Sequence, residues 1–156
     1  MSTALLRDFY AAFARRDHAA MARCYAPDPH FSDPVFPDLN GSEVAAMWRM
    51  LTERATDLRV EASGINAEGS TGVAHWEAWY TFSATGRAVH NVIDATFTFR
   101  NGLIATHVDR FDFHRWSTQA LGPVGLLLGW TPIVRSKVRR TAAAGLAKSI
   151  AAHGAP

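Results

Sequence analysis

Residues 88–113 read AVHNVIDATFTFRNGLIATHVDRFDF. The Asn101-Gly102 pair between two runs of alternating aromatic and β-branched residues is the strongest hairpin signal in the chain. Residues two apart on a strand share a face. On the first arm His90, Val92, Asp94 and Thr96 therefore oppose Val89, Ile93, Phe97 and Phe99; on the second, His107, Asp109, Phe111 and Phe113 oppose Thr106, Val108, Arg110 and Asp112. Counting back from a two-residue turn pairs position 94 near 109, which predicts two carboxylates almost side by side.

Two further period-two runs precede this hairpin, separated by turn chemistry at Asn66 to Gly72 and at Ala84-Thr85-Gly86. The strands read as 58–66, 72–83, 88–100 and 103–113, an antiparallel meander that must bury one face. Upstream the period is helical. Leu5, Leu6, Phe9, Tyr10 and Phe13 mark a first helix, and Asp17 caps a short second one carrying Met21, Cys24 and Tyr25. Pro27, Pro29 and Pro34 bracket an extended piece, His30 to Asp33. Val44, Met47, Trp48 and Leu51 give a third helix, starting near Ser42, its apolar face. The fold class is α+β, a curved antiparallel sheet packed on N-terminal helices, with a cone domain over 1–122. Beyond it lies a short helix near Arg115 to Leu121, then a Gly/Pro-rich connector and basic C-terminal helix over 123–156, where Thr131 caps and Pro132 takes the first position.

The chain's 156 residues, 48% hydrophobic and with one cysteine, suit one globular domain in a reducing compartment, and the amino end lacks the charged head and apolar run of a secretory signal. A cytoplasmic location is expected. Cys24 reads as a buried apolar residue. The six basic residues after Asp112 (Arg115, Arg135, Lys137, Arg139, Arg140 and Lys148) have no acidic companion, while ten basic residues face fourteen acidic ones over residues 1–112. The run Arg135 to Arg140 has no interleaved aromatic, so nucleic acid is not expected as a partner. The uncharged stretch Trp116 to Val134 contains three glycines and two prolines and does not span a bilayer. Ile133, Val134, Val138, Leu146 and Ile150 form a thin apolar stripe on the tail helix. That stripe is expected to pack on its own domain or a partner subunit; contact with an anionic membrane surface through Leu126, Leu127, Leu128 and Trp130 is the alternative.

Two close carboxylates in an apolar cavity cannot both ionise comfortably, so one keeps its proton. Asp33, Asp94 and Asp109, with His107, are the candidate catalytic residues. Trp76, Tyr80 and Phe82 share a strand face, and with Val92, Phe111 and Trp48 they would wall a pocket for a small apolar or polycyclic ligand; for Phe82 a core role is preferred. His75 and Glu77 should point the other way, toward a homodimer contact. The histidines and carboxylates lie on separate strands without a short ligand spacing, so neither a metal nor a cofactor is expected.

Phe9-Tyr10-Ala11-Ala12-Phe13-Ala14-Arg15-Arg16-Asp17, Tyr25-Ala26-Pro27-Asp28, Phe31-Ser32-Asp33-Pro34, Asn40-Gly41, Val92-Ile93-Asp94, Gly102-Leu103-Ile104, His107-Val108-Asp109-Arg110-Phe111-Asp112 and Gln119-Ala120-Leu121-Gly122 together resemble the nuclear transport factor 2-like superfamily. Within it they resemble the SnoaL-like and ketosteroid isomerase groups, over roughly Leu5 to Gly122. The resemblance implies a cone-shaped α+β fold and an isomerase or cyclase that abstracts a proton next to a carbonyl. It implies Asp33 as general base and Asp94, eight residues before Gly102, as a protonated donor to the oxyanion. The isomerases' first-helix tyrosine is replaced by Phe9, with Tyr10 its neighbour and Tyr80 another source of a phenol. SnoaL-like cyclases use an aspartate and a histidine on the later strands, which resembles His107 and Asp109. Limonene epoxide hydrolases resemble the same region but carry an arginine where this chain has Val92. A non-catalytic binding or accessory protein of the same fold, and more weakly an epoxide hydrolase or dehydratase, are the alternatives.

Overall fold

The computed structural model describes residues 1–153, so the last three positions of the 123–156 segment lie outside the described residues. Leu6, Phe9 and Phe13, three and four apart, become the buried face of α1 (Ser2–Ala14). Asp17 accepts from the Ala20 amide at 2.9 Å and caps α2 (His18–Ala22). That helix stops before Cys24 and Tyr25, which were expected on it. Tyr25 instead opens β1 (Tyr25–Ser32). Pro27 pushes Ala26 into extended geometry, and the Cys24 carbonyl accepts the amide of Ile104, so the chain enters the sheet there.

A two-residue strand β2 (Leu39–Asn40) precedes α3 (Ser42–Arg54), which buries Val44, Met47 and Trp48. The meander follows as β3 (Arg59–Glu68), β4 (Thr71–Phe82), β5 (Arg87–Arg100) and β6 (Leu103–Arg110). Its neighbours pair antiparallel as expected, but β1 adds to β6 in parallel, giving an open mixed sheet of order β2-β1-β6-β5-β4-β3. Inward side chains such as Trp76, Ile93, Phe97 and Ile104 meet α1 and α3 in one main core. Each large side chain fully buried there is worth about 1.5–3 kcal/mol.

The hairpin decides which side chains face that core. Asn101 and Gly102 both have positive φ, +53° and +75°, which suits a tight two-residue turn matching the strand twist. Arg100 pairs with Leu103 and Phe99 with Ile104, but Thr98 then pairs with Thr106. Ala105 is thus an extra residue on β6, a bulge that moves every later pair by one. Ala95 faces Asp109, and Asp94 faces Arg110.

After β6 come α4 (Phe113–Leu121), α5 (Pro123–Leu128) and α6 (Pro132–His153). The expected Gly/Pro connector is largely helical. Pro123 suits the first position of α5, and Gly125 lies so close to α4 that a Cβ would sit 1.8 Å from the Ser117 carbonyl oxygen. Thr131 Oγ accepts from the Val134 amide at 3.4 Å at the start of α6. Helix α6 packs against α3, with Leu146 in the main core and Val134 in a second cluster with Phe113 and Trp116. Among the described residues no helix is long and apolar enough to cross a membrane.

Candidate active site

A cavity of about 560 Å³ lies between the inner face of the sheet, α3 and α6. Trp48, Trp76, Tyr80, Ile93 and Phe111 supply apolar wall, and Asp33 and Asp109 are its carboxylates. Exposed Arg54, Ser83, Val124 and Lys137 mark its mouth. The volume lies in the range of small-molecule sites, roughly 300–1,000 Å³.

Asp33 is held by the turn it starts. Pro34 keeps Asp33 out of the helical region, and Asp33 Oδ1 accepts the amides of Val35 at 2.7 Å and Phe36 at 2.6 Å. Among the described residues its Oδ2 carries no hydrogen bond and is left for the cavity. Burial raises its pKa to about 7; the two amide bonds oppose that, the negative charge of Asp109 adds to it, and the Arg139 guanidinium again lowers it.

Asp109 ends a buried chain of hydrogen bonds. The Trp48 indole N–H donates to the Tyr25 hydroxyl at 2.9 Å, and that hydroxyl lies 2.7 Å from His107 Nδ1. His107 Nε2 lies 2.9 Å from Asp109 Oδ1, which also accepts the Trp76 indole N–H at 3.2 Å. The indole can only donate, so the tyrosine proton is free to point at Nδ1, and a neutral ring then carries its proton on Nε2 toward the carboxylate. His107 is fully buried behind Asp109, not in the cavity wall. Burial pushes the Tyr25 phenol well above its ordinary value, with Trp48 opposing and Asp109 adding to the shift. Tyr10, also raised by burial and by Asp109, has a buried hydroxyl with no hydrogen-bond partner among the described residues.

Tyr80 stands in the wall near Asp33. Its hydroxyl oxygen accepts the Trp116 indole N–H at 2.9 Å, so its own hydrogen is free to donate. Burial is the chief cause of its raised pKa, Trp116 opposes it, and the Asp33 charge adds to it.

The remaining expected site residues lie elsewhere. Asp94 is on the outer face, its side chain 81% exposed and its Oδ1 2.9 Å from His75 Nδ1. Val92 pairs with Glu77 on that same face and is absent from the cavity wall. The Ala105 bulge is the reason: without it Asp94 would oppose Asp109, and with it the two carboxylates fall on opposite faces. Sequence reasoning missed Tyr25 in the relay, although Pro27 two residues later already pointed to extended chain there. It also missed the wall supplied by α6, namely Val134, Lys137, Val138, Thr141 and Ala142. Among the described residues no group of three His, Cys, Asp or Glu side chains gathers as a metal site.

An α+β sheet wrapped by helices around an apolar cavity matches the fold of the nuclear transport factor 2-like superfamily. A family model described as the SnoaL-like domain matches residues 6–107, and the chain belongs to that family. A search of curated protein sequences returned no match. Among solved structures, an NTF2-like protein of unknown function from Burkholderia pseudomallei superposes with a TM-score of 0.66 at 20% identity, covering 76% of this chain and 96% of that one. A candidate polyketide cyclase from Xanthomonas campestris gives 0.62 at 23% identity, covering 76% and 96%. A protein with a ketosteroid isomerase-like fold from Catenulispora acidiphila, bound to trimethylamine, gives 0.66 at 15% identity, covering 82% and 97%. At these identities the likeness speaks for the fold.

Proposed function

We propose that this protein is an isomerase or cyclase that moves a proton next to a carbonyl group of a small apolar or polycyclic compound. The observation that carries the reading is the pair Asp33 and Asp109 in one apolar cavity, each with one oxygen tied by N–H donors and the other, among the described residues, without a hydrogen bond. Ionised Asp33 takes the proton from the carbon beside the carbonyl, leaving an enolate. Tyr80 O–H, in the role first expected of Asp94, donates to the enolate oxygen. The proton then returns to a different carbon, or the enolate carbon bonds to a second carbonyl and closes a ring. Protonated Asp33 returns the proton to that carbon, or to the alkoxide that ring closure leaves, while Asp109, held by His107 and Trp76, orients the substrate. The SnoaL-like family, the candidate polyketide cyclase and the ketosteroid isomerase-like neighbour support this class of reaction.

The test uses 2-tetralone, an apolar bicyclic ketone with acidic hydrogens beside its carbonyl, in deuterated water. Catalysed deuterium uptake, read by mass spectrometry, is expected to rise with pH through about 7, the value of Asp33. Asp33→Asn should lower it by roughly 10²- to 10⁴-fold, the usual contribution of a general base. Saturable binding without deuterium uptake would identify a binding module instead. Full activity in Asp33→Asn would remove Asp33 from the mechanism.

A further inference from the structure

Helix α5, the turn that follows it and the first turn of α6 present Leu126, Leu127, Leu128, Trp130 and Ile133 to solvent, with Leu127, Trp130 and Ile133 at 68%, 71% and 79% exposure. Five large apolar side chains within eight consecutive positions form a patch of the kind that marks an interaction surface. The patch is held in place. Gly125 seats α5 flush on Ser117 of α4, and the Trp130 indole N–H is satisfied by the Leu127 carbonyl at 3.0 Å, so the ring is presented without an unmet polar group.

Its surroundings are cationic. Arg115, Arg135, Lys137 and Arg140 are exposed, and among the described residues none of them pairs with a carboxylate. Arg135 lies over the Phe113 ring at 5.0 Å, which places it beside the α4–α6 junction. Ile133, Lys137 and Arg140 follow at four- and three-residue spacing, so one face of α6 carries an apolar foot and then two cations. No acidic residue follows Asp112. Exposed leucines and a tryptophan beneath a rim of unpaired arginines and lysine match the layering of a bilayer surface, hydrocarbon below and anionic headgroups above.

We propose that this α5–α6 tip docks the protein on an anionic lipid surface. The tip adjoins the cavity mouth, because Val124 of α5 and Val134 and Lys137 of α6 also line the cavity. An apolar ligand dissolved in the bilayer then enters the cavity past Val124 and Val134. The docking does not depend on whether the cavity is catalytic.

Flotation of the full chain with phosphatidylcholine vesicles, with and without phosphatidylglycerol, tests the proposal. Recovery with the anionic vesicles is expected to correspond to partitioning stronger by on the order of a hundredfold, roughly fivefold for each of about three cations near the surface. The double variant Leu127→Glu, Trp130→Glu should stay in the soluble fractions, and Arg135→Glu with Arg140→Glu should lose the preference for anionic lipid. All four side chains are exposed, so unchanged thermal melts should accompany both losses. Failure of the full chain to float, equal recovery with both lipids, or flotation of the Leu127→Glu, Trp130→Glu variant overturns the proposal. So does light scattering that shows a dimer dissociating in that variant without any flotation, which would assign the patch to a second copy of the chain.

Discussion

Asp33 carries a cost that its neighbours only partly offset. An unfolded aspartate titrates near 3.9, whereas burial raises Asp33 to about 7, so between those values the folded chain holds a proton that the unfolded chain has released. The contribution of this group to stability is therefore complete below about pH 4, declines as pH rises to about 7, and is a constant penalty above that, on the order of 4 kcal/mol. Asp33→Asn keeps an oxygen to accept the Val35 and Phe36 amides and removes the charge. It is expected to raise the melting temperature at pH 8 and to leave it nearly unchanged at pH 4. Calorimetry of both proteins across that range checks this, and equal shifts at both ends would mean the carboxyl is not confined as described. A side chain that destabilises its own fold in the pH range where it is ionised suits the base proposed for this cavity.

At the scale of elements, the close seat of α5 on α4 depends on Gly125. A methyl group there would sit 1.8 Å from the Ser117 carbonyl oxygen, backbone that can yield only if the helices separate. Gly125→Ala is expected to cost about 1–3 kcal/mol, as overpacking does, and to lower the melting temperature by several degrees. Leu126→Ala, one position on and 57% exposed, should change it little. Equal melts for the two variants would contradict the contact. The sequence showed why α1 and α3 bury the faces they do, and it placed the four strands of the meander within a few residues. It hid the Ala105 bulge, because a bulge is decided by how two strands settle against the core and leaves no residue signature here. That single extra residue exchanged Asp94 and Val92 for the outer face, while Asp33, Asp109, Trp48, Trp76, Tyr80 and Phe111 reached the cavity and His107 came to rest behind Asp109. Helix α5 was obscured by its own Pro and Gly, which terminate helices in most settings but here start one and let it pack.

The molecule as a whole couples its tail to the pocket. The family match ends at residue 107, yet α6, beginning at Pro132, supplies one wall of the cavity and places Leu146 in the main core. It also sends Arg139 back to the Asp33 turn, where Nε donates to the Pro34 carbonyl at 2.9 Å and the positive charge holds the Asp33 pKa below what burial alone would give. Arg139→Gln removes the charge while keeping a side-chain amide that can donate. With less support for its anion, Asp33 must titrate higher than about 7. The rising limb of deuterium uptake should move to higher pH by the same amount, and the decline in stability that starts near pH 4 should extend further toward alkali. Arg140→Gln is the control, since one step along a helix turns a side chain by about 100° and Arg140 is exposed. Carbon-13 titration of the Asp33 carboxyl in each variant reads the shift without reference to catalysis. An inflection that stays in place in Arg139→Gln would mean the tail encloses the pocket without tuning it.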